Sequence, residues 1–268
     1  MLGTQSDTVL VPNLKINNLS CCNGNTKVLV SDADGNINYR ESSTLGGGGS
    51  LYSCCNILTD STNSNIIGGC YNSMTASNSS TIIGGNYNII CSQGRSAIIA
   101  GVCNKLVVGN EGSVIIGGCC NDICNFSCES AIIGGCSNRI MCGNEGSIIL
   151  GGYDNCICDY SCESAIIGGS NNGIHYYSCQ STVVGGCSNE ICCDSKNSTI
   201  IGGNNNCIYD SINSGIIGGY NNEVCNSNRS VIIGGSSMTL DNEDDTVFVN
   251  RLKIDTLQNE PTDTRIIT

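Results

Sequence analysis

The most reactive groups in this chain are its 22 cysteines, and five of them are regularly spaced. Cys91, Cys124, Cys158, Cys192 and Cys225 follow one another at intervals of 33, 34, 34 and 33 residues. Such thiols can be oxidised to disulfides or can ligate a soft metal. Zinc sites usually carry paired C-x2-C or Cys/His knuckles on tight turns. Here the recurring short spacings are 1 and 4, and His175 is the single histidine. The pattern therefore points to disulfides, with free thiols as the alternative, and to no metal or cofactor. Other catalytic groupings are weak. Repeated serines lack a neighbouring histidine base. Gly-Gly steps are not followed by the Lys-Ser/Thr and helix of a phosphate cradle. Glu111 and Glu145 sit in duplicated GNEGS segments that read as solvated corners. No enzymatic activity is expected.

Composition narrows the partners. With 11 Lys+Arg and a formal net charge of −12, the chain lacks the basic footprint of nucleic-acid binding. No apolar run approaches the ~18 residues of a membrane span. The opening MLGTQSDTVL has neither the basic nor the apolar region of a secretory signal, whereas dense cysteine suits an oxidising compartment. An extracellular or virion-surface location, or a spore surface, reconciles the two.

The elements that must position these cysteines come from a repeat. Counting from the first residue of each Gly-Gly step gives eleven copies, beginning at Gly68, Gly84 and Ala100 and ending at Gly234, at spacings of 16 or 17. Serine stands four residues before each step, as in Ser64, Ser113 and Ser164, and an apolar pair stands directly before it. Ile66-Ile67-Gly68-Gly69, Ile115-Ile116-Gly117 and Ile166-Ile167-Gly168 show the pattern. Asparagine follows four residues later in ten copies, including Asn121 and Asn172, with Met238 the exception. An apolar residue always follows at six. A unit this short accommodates two strands and two turns, one coil of a β-solenoid. The expected fold is all-β, a parallel β-roll or β-helix of eleven coils over residues 60–240. Residues 1–45 form an N-terminal β connector, 46–59 a Gly-rich hinge, and 241–268 a partial β module resembling the N-terminal one.

Adjacent strand residues point to opposite faces. One isoleucine of each pair therefore fills the coil, and its neighbour points out beside residues such as Ala97, Val114 and Ala131. The second strand alternates differently, with Lys105, Asp122, Arg139, Glu190 and Glu223 outward. A strand apolar on both faces needs cover on both. Homo-oligomerisation about a cyclic axis, as a trimer, is the expected cover; a further segment of the same chain is the alternative.

Coil register also sets what the cysteines can reach. The five regularly spaced thiols stand two coils apart, about 9.6 Å, beyond the ~7 Å a disulfide spans. They are expected to face outward. Cys124 could bridge to Cys128, and Cys158 to Cys162, across a corner, and the five could also bridge to another subunit. Cys119 with Cys136, and Cys162 with Cys179, share columns in adjacent coils.

The stretches SAIIGGCSNRI and STIIGGNNNCI resemble the heads of YadA-type trimeric adhesins, and Asn/Gly-rich repeats in tail-fibre-like proteins of phages and large viruses. That resemblance covers about residues 60–240 and implies a trimeric fibre or adhesin head, with a host-surface glycan or protein as possible receptor. The doubled glycine, the asparagine column and the cysteines depart from the YadA pattern. Finally, the segment from Asp245 to Leu257 repeats that from Asp7 to Leu19. This points either to a chain cut from a longer fibre or to units that stack head-to-tail.

Overall fold

The computed structural model describes residues 27–31, 37–41, 55–92 and 94–252. They fall into two units, one within Met1–Tyr52 and one within Ser53–Thr268. In the first, Lys27–Ser31 pairs antiparallel with Ile37–Glu41, as the intervening Asp34-Gly-Asn leads one to expect. The Gly-rich hinge at 46–50 and most of the matching chain ends lie outside the described residues.

The second unit is a parallel β-solenoid of about eleven turns, with no helix among the described residues. Each turn gives one strand to each of two twelve-stranded parallel sheets, of three residues throughout one sheet and of three or, in two turns, two residues in the other. One sheet runs from Asn65–Ile67 to Val247–Val249 and carries the apolar pairs; we call it the isoleucine sheet. The other runs from Ile57–Thr59 to Thr239–Asp241 and is the mixed sheet. Register follows the repeat residue for residue: Ile115 pairs with Ile98 on one side and Ile132 on the other. Twelve rungs at roughly 4.8 Å give a rod about 50 Å long.

The interior is thin. In each central turn, one residue of each sheet points inward, such as Ile115 and Ile123, and both columns are fully buried. Between them lie three columns of buried polar side chains, each bonded to the neighbouring coil. Asn121 shows the first kind: its Oδ1 accepts the backbone N–H of Asn138 at 3.0 Å, and its Nδ2 donates to the carbonyls of Gly134 and Gly135 at 3.3 Å. This chain of bonds begins at Asn56 and ends where Asn222 receives the N–H of Met238. Serines form the second: Ser113 Oγ accepts the N–H of Ser130 at 3.2 Å and donates to the Ser127 carbonyl at 2.9 Å. A third column mixes Ser and Asn, with Asn110 accepting from Ser127 and Ser127 accepting from Asn144. Buried polar groups are costly unless bonded, and here the bonding is between coils.

Two ends of the repeat extend further than the motif suggests. Val247–Val249 joins the isoleucine sheet beside Val231–Ile233, and Thr246 N–H donates to Ser230 Oγ in the place of a repeat serine. Ile57–Thr59, in the segment read as hinge, begins the mixed sheet.

The two corner glycines have different duties. Both take positive φ, +67° at Gly117 and +75° at Gly118. A Cβ on Gly117 would meet nothing within 4 Å, whereas one on Gly118 would overlap Asn121 Nδ2 and the carbonyl of Gly135. Ala100 occupies the first position in its own coil, at φ 60°. Gly117→Ala should therefore cost about 1–2 kcal/mol, the left-handed penalty alone. Gly118→Ala should lower the thermal midpoint much further. Asn121→Ala, which leaves the buried Asn138 N–H unpaired, should cost about 1–3 kcal/mol. Thermal melts by circular dichroism check all three.

Candidate functional site

The solenoid presents two different outer faces. On the isoleucine sheet, the residue that follows the inward one is Ile, Leu or Val on all twelve rungs, although the inward residue is fully buried only between the end rungs. Ile116 is 38% exposed and Ile167 42%, and the column continues through Ile133, Ile201, Ile217 and Ile233 at similar values. The adjacent outward column holds residues such as Thr81, Ala97, Val114 and Ile148, all half-buried. Neither column contains a charged residue. The expected opposition of the two isoleucines thus holds: Ile66, Ile115 and Ile166 turn inward, and Ile67, Ile116 and Ile167 turn out.

The mixed sheet is polar outside. Lys105, Asp122 and Arg139 are register neighbours in one column. Asp122 Oδ1 is buried without a hydrogen-bond partner, and burial raises its carboxyl above the usual carboxylate range. The next outward column holds Cys91, Val107, Cys124 and Met141, then Cys158, His175, Cys192, Tyr209 and Cys225. The two-coil cysteine period is real in space. Outward exposure holds only in part, because Cys124 and Cys192 are 8% and 6% exposed. Burial pushes the Cys124 thiol up to about 11. Cys192 is raised through its interaction with Cys207 on the next coil, and then by burial.

Cys119, Cys124, Cys128, Cys136, Cys158, Cys162, Cys179, Cys192 and Cys225 are free thiols. The corner cysteines also bond to backbone: Cys128, Cys162 and Cys179 donate to the carbonyls of Gly109, Gly143 and Tyr160, in the coils before them, at 3.1–3.3 Å. The thiols of Cys162 and Cys179 meet side by side, as their shared column leads one to expect. Cys119 and Cys136 stand opposite each other in adjacent coils with their thiols in contact, and Cys119 Sγ also lies 3.3 Å from Cys120 Sγ. Together with burial, this contact raises the Cys119 thiol to about 11, the contact being the larger cause.

Spacing along the chain concealed one grouping. Cys158 and His175 are 17 residues apart, one coil, and Cys158 Sγ lies 2.6 Å from His175 Nδ1. Cys156 lies in the strand that Cys158 directly follows, two residues before it, and the three donor atoms lie within 4.8 Å of one another. A hydrogen bond from Cys158 lowers the Cys156 thiol, and the same contact, aided by burial, raises Cys158. Burial lowers the imidazole of His175, which favours its neutral form. Among the sequence-derived candidates only Cys158 belongs to this group; Cys156 and His175 were not singled out. Reducing positions by the 17-residue period, rather than reading adjacent spacings, would have found them. The glutamates of the GNEGS corners, Glu111 and Glu145, are exposed as expected, with Glu111 in an ion pair with Arg95 at 3.3 Å.

Thiol alkylation separates these environments. At pH 8, a thiol near 11 is roughly a hundredfold less ionised than an ordinary one near 9.0. Cys124 should therefore react about a hundredfold more slowly than a free model thiol, as read by mass spectrometry of the reduced, folded protein. Neither a protein-family model nor a curated protein matches the chain.

Proposed function

We propose that this chain is a structural protein whose solenoids associate, through the isoleucine face, into a trimeric rod of a surface fibre. One observation carries the reading: the uncharged Ile/Leu/Val column runs unbroken over twelve rungs. Soluble monomers seldom expose a continuous apolar surface of that extent. The repeat is straight in register, so a second copy with the same 16–17-residue rise can cover the face along its whole length. A cyclic arrangement closes the contact without leaving an open end. Three copies is the number implied by the likeness to YadA-type heads. The reading places the protein at a virion or other extracellular surface, as spacer and attachment element, with a glycan or protein receptor as the target. A bacterial or spore-surface adhesin, or a filament subunit, would use the same face. The polar ladders leave the lumen closed by short side chains, which favours a structural over a catalytic use of the rod.

Outward side chains can be changed without touching the lumen, which makes the reading testable. In analytical ultracentrifugation under reducing conditions the wild-type protein should sediment as three chains. Combining Ile116→Lys, Ile133→Lys and Ile167→Lys should give a monomer with an unchanged circular-dichroism spectrum. A wild-type monomer would remove the reading, and a two-chain particle would replace the trimer with a dimer.

A further inference from the structure

The geometry points to a metal site on the mixed sheet: Cys156 Sγ, Cys158 Sγ and His175 Nδ1 form a three-ligand seat for a thiophilic divalent cation, zinc by chemistry. The site lies on the sheet opposite the isoleucine face and does not depend on how the chains assemble.

The donors come from two neighbouring strands, Cys156–Ile157 and Gly173–Ile174, and the residues that directly follow them, held in register by Ile157 opposite Ile174. Cys156 and Cys158 flank the buried Ile157, so both thiols project to the same outer side. His175 follows Ile174 by one residue and reaches that side in the next coil. Strand pairing, with His175 N–H donating to the Ile191 carbonyl at 2.9 Å, fixes the backbone from which the imidazole extends.

A local adjustment of the repeat makes room for the ring. In the outward column that holds Lys105, Asp122, Arg139, Cys156, Glu190, Cys207 and Glu223, the histidine coil alone among these neighbours carries glycine. Gly173 is buried although its column is otherwise half-exposed or exposed. A Cβ on Gly173 would collide with His175 Nε2. The ring therefore lies back across Gly173, and Nδ1 is turned to Cys158. Any other residue at 173 would push the imidazole off the two thiols.

Three donors of this kind suit zinc rather than a hard cation. Thiolate and imidazole select thiophilic metals, whereas magnesium and calcium take oxygen donors. Zinc bonds of about 2.3 Å to sulfur and 2.0–2.1 Å to nitrogen place tetrahedral ligand atoms about 3.5–3.8 Å apart. The 4.8 Å envelope of the three atoms contains that triangle. The 2.6 Å approach of Cys158 to His175 must open by about 1 Å to admit the ion. Binding displaces the thiol protons to solvent, leaving thiolates on the metal. Cys156 and His175 line an open groove together with Arg139, Asp154 and Glu190. On the Cys158 side, Asp159 Oδ2 lies 3.4 Å from the thiol sulfur.

The test uses the full chain, reduced and freed of metal, titrated with zinc against a chromophoric chelator. Cobalt is used in parallel to read tetrahedral thiolate coordination by absorption. The variants Cys158→Ala and His175→Ala should each weaken the tightest equivalent by at least about a hundredfold and abolish the cobalt spectrum. Gly173→Ala, a positioning change, should weaken it by about 10–100-fold, as for residues that orient ligands. Cys225→Ala, in the same column four coils away, should leave it unchanged. All changes are outward, and unchanged circular dichroism certifies the fold. Wild-type protein that takes no zinc from the chelator would overturn the assignment, and so would uptake that survives both Cys158→Ala and His175→Ala.

Discussion

The fold depends on one interaction, the capture of each coil by the asparagine of the coil before it. Asn121 accepts from the backbone of Asn138 and donates to the two glycine carbonyls that precede it in the same coil. One side chain thus closes the corner of its neighbour and sets the vertical register. The bonds are buried, so an unmet partner would carry the full desolvation cost. They also require the bare corner at Gly118. Once the coils are locked at the corner, the isoleucines stack in columns by necessity. The hydrophobic interior is then two side chains wide, and most of the remaining cohesion comes from polar ladders running along the rod.

Much of this was legible because a solenoid converts sequence period into spatial column. Serine, asparagine and the apolar pair recur at fixed offsets, and their faces follow from strand alternation. The third ladder was harder to see, since Ser77, Asn110, Ser127 and Asn144 alternate in type while doing the same work. Val247–Val249 was read with the chain end because of its likeness to the N-terminal segment. Its distance of 16 residues from Val231 places it instead on the next rung. The cysteines were the least legible. Column membership could be counted, but a corner thiol chooses between another thiol and a backbone carbonyl according to left-handed turns, such as that at Glu129 (φ 53°), that no composition rule locates. The pairing of Cys158 with His175 was available from the period, yet hidden by reading only neighbouring residues.

Two outer faces follow from one repeat, and they differ in what the repeat constrains. The isoleucine sheet conserves its apolar character rung after rung within the chain, including at its last strand. The mixed sheet varies freely: Lys, Asp, Arg, Cys, Gly and Glu succeed one another in a single column. Uniformity suits a surface that meets a surface of the same period. Variation suits local chemistry, such as the thiol and imidazole group around Gly173. In the proposed function, assembly belongs to one side of the rod and individual sites to the other.

The claim that the isoleucine face is covered by other copies is tested most directly by hydroxyl-radical footprinting of the native particle. Ile116, Ile133 and Ile167 are compared with Tyr153 and Tyr220, which are 57% and 56% exposed and lie off that face. The account predicts that the isoleucines are protected several-fold relative to a lysine-substituted monomer, while the tyrosines react alike in both. Isoleucines that react in the native protein as readily as in that monomer would contradict it.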